Sequence, residues 1–441
     1  MTNLLAARAL FGLSLAFHIV FAAVGVAMPV LMVLAEWRWR RTGAPIYLEL
    51  ARRWAKGVAV LFAVGAVSGT VISFELGLLW PRFMAFAGPI IGMPFALEGY
   101  AFFAEAIFLG LFLYGRERIS PRLHLFCGMM VAASGVLSAF FVTLANVWMN
   151  HPAGFELVAG RAVGVDPIAA MFPVGWVEQV VHVILSCFAA TGLAVCGIHA
   201  YFLRRAPGDV FHRAALGIAL PVAAVAALIQ PIAGDFSARR IALTQPVKLA
   251  ALEGHFVTQR GAPLHVGGLP DPNTGVTRFA VEIPSGLSLL AFHDASAEVK
   301  GLLDFPRSVW PDPLRVHLSF QVMVALGTAM AGLAVLAGLL GWRRRGLPTD
   351  RWFLGVLIAT GPLGFLALEA GWLVTEEGRQ PFVIWGVMRS AAAVTPVSEV
   401  WVSLVAFGAL YLFLAVMVGV LLRRQILLAA PGTRRAEEAP R

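Results

Sequence analysis

Nine long apolar stretches limit what this chain can fold into more strongly than any other feature of its sequence. Each has the roughly 20 residues that an α-helix needs to cross a bilayer. Charged residues make up only 13% of the chain, whereas a soluble protein carries about 25%. The stretches are 9–36, 54–80, 92–114, 124–147, 178–203, 214–233, 316–341, 352–375 and 396–422. The sequence therefore predicts an all-α polytopic membrane protein with about nine transmembrane helices.

Basic residues lie in short clusters between these stretches. The net charge is +9, but the chain has no continuous basic face and no nucleic-acid motif, which argues against a nucleic-acid partner. Five clusters, each after an odd-numbered stretch, hold 21 of the 34 lysines and arginines. Because basic loops stay in the cytoplasm, we expect a periplasmic N-terminus and a cytoplasmic C-terminus.

One long polar segment interrupts the apolar pattern. It spans 234–315, is rich in proline, glycine and charge, and separates the sixth apolar stretch from the seventh. Loops of this length are usually functional or disordered, and the residues alone allow a solvated flap as readily as a substrate site. We therefore divide the chain into helices 1–6 (1–233), a periplasmic loop (234–315), helices 7–9 (316–422) and a cytoplasmic tail (423–441).

The three cysteines, Cys127, Cys187 and Cys196, lie in apolar stretches and lack CxxC spacing. We expect them to be small core residues, and not disulfide partners or zinc ligands. The first apolar stretch is too long for a signal peptide and has no charged segment before it, so we expect it to be retained.

Ionisable and metal-ligating side chains are rare inside the apolar stretches, and they share one half of the predicted membrane. Helical rise of about 1.5 Å per residue, combined with the predicted orientation, puts each of them in the outer half. Charged groups in that environment are costly and usually functional. They are His18, Glu75, Glu98, Glu105, His182, Met323 and Glu369.

Imidazole, thioether and carboxylate groups in a dry interior suit a heme iron. His182 and Met323, at comparable depth on two helices, could close both axial positions of a low-spin heme. His18 and Glu369 could each bind one face of another heme and leave the opposite face open to oxygen. Simpler interpretations exist, because histidine in a membrane helix often forms hydrogen bonds in the core and methionine usually packs.

Two other functions are compatible with the same residues. Glu98, Glu105 and Glu369 could form the relay of a proton-coupled secondary transporter, which predicts inverted repeats and broken helices at matching places. A diheme electron-transfer subunit would need two closed axial pairs, whereas the sequence offers a His/Met pair once. The chain has no CxxCH motif, which argues against covalently attached heme.

Five segments resemble those of subunit I of the cytochrome bd ubiquinol oxidases, and the resemblance covers almost the whole chain. They occur in order and at the matching topological places, so the set is far more specific than any single motif. The segments are ELGLLWPRFM (75–84), GPIIGMPFALEGYAFFAEAIFLG (88–110), GDFSARR (234–240), KLAALEG (248–254) and LEAGWLVTEEGRQP (368–381).

The resemblance implies iron ligands. His182 and Met323 correspond to the ligands of the low-spin heme b. His18 and Glu369 correspond to ligands of two high-spin hemes, and which residue serves which heme stays open. One of these hemes is a heme b, and the other is either heme d or a further heme b.

The resemblance also implies roles for polar residues around the hemes and in the outer loop. Glu98 and Glu105 correspond to the proton-channel and heme-side carboxylates of the family. Lys248 and Glu253 correspond to its quinol-binding pair, which makes the loop a substrate site. Residues matched near the hemes are Asn146, Trp372, Arg379 and Gln380.

Three features depart from the usual family pattern. Phe382 stands where the GRQPW motif has tryptophan, and Gln321 replaces a common arginine two residues before Met323. The outer loop is of the short type. The phenylalanine and glutamine resemble the cyanide-insensitive branch of the family, in which the heme d content varies.

The function implied by the resemblance is a terminal oxidase of the bacterial cytoplasmic (inner) membrane. It would oxidise ubiquinol or menaquinol, reduce O2 to water and generate proton motive force by vectorial proton uptake. The implied partners are the lipid bilayer and a second membrane subunit (subunit II), with or without a small single-helix subunit.

Overall fold

The structure is a computed structural model that describes residues 2–427. Within this range nine helices are long and apolar enough to cross a membrane, which confirms the predicted number and the all-α membrane class. Of the predicted tail 423–441, the first residues continue the last helix to Leu427, and residues 428–441 lie outside the described residues.

The membrane spans are formed by α1–α4, α6, α7, α10, α14 and, as one span in two pieces, α11 with α12. The helices of the described residues are α1 (Asn3–Thr42), α2 (Pro45–Leu79), α3 (Pro81–Tyr114), α4 (Pro121–Asn150), α5 (Pro167–Met171), α6 (Trp176–Arg205), α7 (Val210–Thr244), α8 (Pro246–Glu253), α9 (Gly286–Phe292), α10 (Pro313–Arg344), α11 (Arg351–Thr360), α12 (Leu363–Glu377), α13 (Ser390–Ala393) and α14 (Val400–Leu427).

Prolines and capping residues set where several of these helices begin and end. Pro45, Pro81 and Pro313 occupy the first positions of α2, α3 and α10, where a missing N–H costs nothing. The Asp209 carboxylate accepts from two backbone N–H groups of the first turn of α7. Gly43 ends α1 with a φ of 68°, a left-handed conformation that favours glycine.

Ten short β-strands among the described residues form five antiparallel pairs in the segments between the membrane helices. They pair as β1 (Glu156–Val158) with β2 (Arg161–Val163), β3 (Gln259–Arg260) with β8 (Glu298–Val299), β4 (Leu264–Val266) with β7 (Val281–Ile283), β5 (Leu269–Asp271) with β6 (Val276–Arg278), and β9 (Phe382–Ile384) with β10 (Met388–Arg389). Three of these five pairs, together with α8 and α9, belong to the outer loop, which is therefore an ordered substructure.

Two helix boundaries differ instructively from the sequence prediction. The sixth span was predicted to end at 233, but α7 continues to Thr244. The polar extension is helical because Asp235 and Arg239 form an ion pair one turn apart (2.6 Å), an arrangement that stabilises helices. The eighth span breaks around Pro362, because proline lacks the N–H that would continue the helix.

The chain divides into two compact units. The first comprises Met1–Pro81, Gly99–Ser138 and Val394–Arg441, and the second comprises Arg82–Glu98 and Ala139–Ala393. In the first unit, Phe21, Val64, Tyr411, Leu414 and Val418 form a core that joins α1, α2 and α14.

Close helix contacts in the second unit depend on small residues. Gly192 of α6 lies against Ala223 of α7, and Gly364 of α12 lies against Ala190 of α6. Small residues let membrane helices approach closely, where van der Waals packing holds them together. These contacts fix α6, α7 and α12, the helices that carry much of the candidate site.

Candidate functional site

His18 lies on α1 in the first unit, and a serine of α2 orients its imidazole. Nδ1 is 3.0 Å from Ser68 Oγ, and Ser68 donates its own hydrogen to the Val64 carbonyl, 3.0 Å away. With its hydrogen directed to a backbone carbonyl of α2, Ser68 Oγ is free to accept from Nδ1–H in the tautomer that leaves Nε2 unprotonated. A neutral imidazole held in one tautomer by such a bond is the form that binds a metal.

Two buried carboxyl groups accompany His18 in the first unit. Tyr411 donates to Ser14 Oγ (2.9 Å), and Ser14 donates to Glu75 Oε1 (2.8 Å). Glu105 on α3 is 5% exposed, and its Oε1 has no hydrogen-bond partner among the described residues. A buried oxygen without a partner indicates a bound water, proton or ligand.

His182 lies on α6 in the second unit and faces α7. The side-chain amide of Gln230 donates to the His182 carbonyl (3.1 Å) and lies 3.2 Å from its Nε2. Nδ1 is buried and has no partner within the described part of the chain. Glu98, on the part of α3 that belongs to this unit, is half-buried.

Met323 on α10 lies against α12, where Glu369, Gly371 and Trp372 follow one another within a helical turn. Oε1 of Glu369 is buried and has no partner in the described residues. Trp372 is half-buried. Because it follows Glu369 by three residues, the two side chains share one face of α12.

A glycine of a neighbouring helix lies against each candidate histidine and methionine ligand. A Cβ added at Gly69 would lie 3.0 Å from His18 Cε1, one at Gly234 would lie 3.3 Å from His182 Cε1, and one at Gly371 would lie 3.0 Å from Met323 Sδ. These separations are tighter than ordinary van der Waals contact, so each side chain occupies space that only glycine leaves open.

The donor set fits a heme iron on chemical grounds. It combines an unpartnered imidazole nitrogen, a thioether held against a glycine, and a buried carboxylate oxygen without a partner. Imidazole and thioether sulfur are established axial donors to heme iron. The assignment of individual ligands stays a prediction.

A chain of buried and partly buried hydrogen bonds runs from the outer loop to the end of α12. It begins at Lys248 of α8, which is only 3% exposed. Lys248 Nζ donates to Asn150 Oδ1 (3.0 Å), Asn150 donates to the Asn146 carbonyl (2.9 Å), Asn146 donates to Glu376 Oε1 (2.6 Å), and Arg379 donates to Glu376 Oε2 (2.5 Å). The structure thus connects three residues that the sequence analysis singled out (Lys248, Asn146 and Arg379) through two that it did not (Asn150 and Glu376).

The sequence analysis treats Lys248 and Glu253 as one pair, but α8 directs their side chains to different surroundings. Five residues of α-helix rotate by about 500°, which leaves the two side chains roughly 140° apart. Lys248 faces Asn150. Glu253 lies near the β4 strand, where its carbonyl accepts from His265 Nδ1 (3.0 Å), and its Oε2 is buried without a partner in the described residues.

Burial moves the pKa values of these two groups toward each other. Burial, together with the charge of Arg379, lowers the pKa of Lys248 to about 7 against the opposing effect of the Glu376 carboxylate. Burial raises the pKa of Glu253 to about 8. Near neutral pH, Lys248 is therefore partly deprotonated and Glu253 is mostly protonated.

A cavity of about 330 Å³ opens where the end of α7 meets α9. Its lining residues are Glu178, Phe236, Arg239, Arg240, Leu243, Ala291, Phe292 and His293. His151 lies within the electrostatic influence of both places, because Glu178 and Arg240 line the cavity and Lys248 belongs to the network. Burial, together with the charges of Lys248 and Arg240, lowers the pKa of His151 to about 4 against the opposing charge of Glu178.

The two residues that depart from the family pattern, Gln321 and Phe382, both form defined contacts in the structure. Gln321 donates to the His265 carbonyl (3.0 Å) and accepts from the Gly267 N–H (3.0 Å), which fastens the outer loop to α10. Phe382, the first residue of β9, packs edge-on against Trp385 in the turn that follows, with ring centroids 5.3 Å apart. Gln321 thus anchors the loop two residues before Met323.

Several residues that support the predicted site escaped the sequence analysis. Asn150 follows Asn146 by one helical turn, and Glu376 lies inside the LEAGWLVTEEGRQP segment, so both had a sequence signal. Ser68 and Gln230 had none, because only the packing of neighbouring helices brings them to the histidines. Gln380 accepts from Ser390 (2.8 Å), a contact within the loop that follows α12.

Comparison with known proteins gives consistent matches. Residues 6–429 match the family described as cytochrome bd terminal oxidase subunit I. A Bacillus subtilis (strain 168) protein provisionally named cytochrome bd menaquinol oxidase subunit I is 37% identical over 95% of each chain. The cytochrome bd ubiquinol oxidase subunit 1 of the same organism is 31% identical over 97% of this chain and 94% of its own length.

A solved structure shows the same fold. The bd oxidase from Geobacillus thermodenitrificans contains a chain that is 38% identical and superposes with a TM-score of 0.91, over 97% of this chain and 99% of that one. The similarity therefore extends over both units and the outer loop, not only over the apolar helices.

Proposed function

The chain belongs to the cytochrome bd terminal oxidase subunit I family, and from this premise we propose which of its residues hold the hemes, bind the quinol and carry protons. Membership makes it a subunit of a quinol:oxygen oxidoreductase in the bacterial cytoplasmic (inner) membrane. It also favours this function over the secondary transporter and the diheme electron-transfer subunit that the sequence allowed.

The observation that carries the proposal is the arrangement of His182 and Met323 in one unit, each against a glycine of a neighbouring helix. These two residues would hold a low-spin heme b. His18 and Glu369 would each hold one of two high-spin hemes, of which one is heme b and the other heme d or a further heme b. When bound, the hemes supply the transfer of electrons from quinol to O2.

Quinol oxidation takes place at the outer loop in this proposal. The quinol binds at α8, the short helix of the outer loop that carries both Lys248 and Glu253. Glu253 accepts a proton from the quinol, because an unpaired buried carboxylate gains most from a new hydroxyl partner. Lys248 holds its place by donating to Asn150 whether or not its amine is protonated.

Proton movement makes the reaction electrogenic. Protons from quinol leave on the outer side, whereas Glu105 and Glu98 hold protons that arrive from the cytoplasmic side for water formation. Charge separation follows from this geometry alone, so no pumping element is required. The orientation rests on the distribution of basic residues. Subunit II is the expected membrane partner, and the quinol is ubiquinol or menaquinol.

A reduced-minus-oxidised visible spectrum of the purified complex, with the extracted heme typed as pyridine hemochrome, tests the proposal. We expect the bands of heme b, together with a far-red chlorin band if the third heme is heme d. Heme b bands alone would assign a further heme b to the third site. A folded, monodisperse complex without heme would overturn the proposed ligands.

We expect quinol oxidation to speed up with rising pH across about 8. A protonated Glu253 cannot accept a quinol proton, and its pKa is about 8, so kcat/KM for quinol should rise as the carboxylate forms. Glu253→Gln should lower kcat/KM by about 100-fold above pH 8, within the range for loss of a general base, and should abolish the rise. The measurement is oxygen uptake at varied quinol concentration and pH, corrected for autoxidation.

The exposed Glu298 on the same loop provides the control for this prediction. Glu298→Gln removes a loop carboxylate without touching the buried network, so it should keep the wild-type profile. A Glu253→Gln enzyme with an unchanged profile would assign the proton to another group.

A further inference from the structure

A second cavity among the described residues lies where the end of α6 meets the start of α11. Its volume is about 560 Å³, and its lining residues are Tyr201, Arg204, Arg205, Arg351 and Ile358. Three guanidinium groups from two helices thus border one space. The basic residues here belong to the ends that the charge pattern predicts to be cytoplasmic.

The three arginines have no carboxylate partner within the described residues. Arg205 stacks on the Tyr201 ring, with its guanidinium carbon 4.2 Å from the ring centroid. Arg204 lies over Gly355, where an added Cβ would lie 3.4 Å from the Nη1 atom of the arginine. Asp350, the acidic residue next to Arg351, is engaged by Arg344 (2.5 Å). Within the described residues, the positive charge that borders the cavity therefore has no carboxylate in direct ion-pair contact.

The cavity has one basic end and one apolar end. Arg351 and Ile358 are seven residues apart on α11, which separates them by about 10 Å along the helix axis. Ile358 thus lies about two turns from Arg351 and about one turn from Gly355, the residue that Arg204 contacts. Trp352, which is 52% exposed, follows Arg351 at the level where aromatic residues mark the membrane–water interface. This polarity matches a phospholipid, with its anionic phosphate at the interface and its acyl chains below.

We propose that this cavity binds the phosphate group of an anionic glycerophospholipid, of the phosphatidylglycerol or cardiolipin class. Arginine forks match phosphate oxygens in two-point hydrogen bonds, and basic pockets between membrane helices on the cytoplasmic side are known to take such headgroups. Basic residues at helix ends also set orientation, but that role needs neither a shared cavity nor convergence from two helices.

Native mass spectrometry of the delipidated complex, titrated with phosphatidylglycerol, cardiolipin or phosphatidylethanolamine, tests the proposal. Removing each arginine should weaken binding of the anionic lipids by about fivefold, since each such charge is worth about 1 kcal/mol. The variant R204Q/R205Q/R351Q should therefore lose this site, while weak binding of phosphatidylethanolamine stays unchanged. Inorganic phosphate at millimolar concentration should not displace the lipid, because it fills only the basic end.

The matched control is R213Q/R343Q/R423Q, which removes three exposed arginines from predicted cytoplasmic helix ends outside the cavity. It should bind as wild type. R204K/R205K/R351K keeps the charge but loses the fork geometry and should bind with intermediate affinity. Size-exclusion profiles and melting temperatures establish that each variant is folded.

Equal lipid affinity in the cavity and control variants would overturn the proposal. Displacement by inorganic phosphate would also overturn it, because the site would then recognise a free anion. The proposal rests on the membrane character of the chain and on the predicted orientation of its basic helix ends, so it stands or falls separately from the heme and quinol assignments.

Discussion

Met323→Leu removes the low-spin heme signal from the reduced-minus-oxidised spectrum while the complex stays folded. Leucine resembles methionine in volume, so the packing of α10 against α12 changes little. It has no sulfur, so an iron held by His182 would lose its second axial donor. Quinol oxidase activity should fall by about 100-fold, the upper end of what loss of even a supporting residue costs a metal site. Visible spectra and oxygen uptake on the purified complex provide both readouts.

The chain offers a matched control for this substitution. Met330 is buried on the same helix, seven residues further along, so Met330→Leu makes the same chemical change two turns away. It should leave the spectrum and the activity as in wild type. Loss of the low-spin signal in both variants would indicate a packing effect on α10 and would contradict ligation by Met323.

Gly371 allows a graded version of the same test. A Cβ at this position would lie 3.0 Å from Met323 Sδ, so Gly371→Ala should displace the sulfur and shift or weaken the low-spin signal without removing it. Gly327→Ala on α10, where an added Cβ meets nothing within 4 Å, should have no effect. If Gly371→Ala leaves the low-spin signal unchanged, the Met323 sulfur does not ligate the iron from the position it has in the structure.

The number of membrane helices was readable from the sequence because apolar length alone decides it. The ends of the helices could not be predicted in this way, because they depend on tertiary contacts that a hydropathy pattern does not report. The extension of α7 beyond residue 233 is stabilised by the ion pair of Arg240 with Glu178 on α6 (2.8 Å), a partner 62 residues away in sequence. In the same way, the loop strands pair across turns that the polar composition of 234–315 could not specify.

The candidate ligands were also readable, because a histidine or carboxylate in an apolar stretch is rare enough to be noticed. The groups that orient them were not. Nothing in the sequence distinguishes Ser68 from other small residues, but in the structure its Oγ lies 3.0 Å from His18 Nδ1. Asn150 matters only because α8 buries Lys248 against it. Sequence patterns thus identify chemically unusual residues, whereas the network that tunes them depends on tertiary packing.

Glu105→Gln should block turnover while leaving the heme spectrum intact. Glutamine copies the shape of glutamate but cannot carry a transferable proton, and Glu105 is buried with Oε1 unpartnered among the described residues. If this carboxyl holds a proton on its way to O2, steady-state oxygen uptake should fall by about 100-fold or more, as for loss of a general acid. Glu105→Asp, which keeps the acid on a shorter side chain, should recover part of that loss.

Comparison with a surface carboxylate separates proton transfer from a general charge effect. Glu117, exposed just after α3, is the matched control, and Glu117→Gln should retain wild-type turnover. Glu105 lies against Gly25 of α1, where an added Cβ would be 3.7 Å from Oε1, so the isosteric glutamine fits without displacing that helix. A Glu105→Gln complex with full heme content and turnover within twofold of wild type would exclude this residue from the proton route. Loss of heme together with turnover would instead assign Glu105 to the structure of the heme pocket.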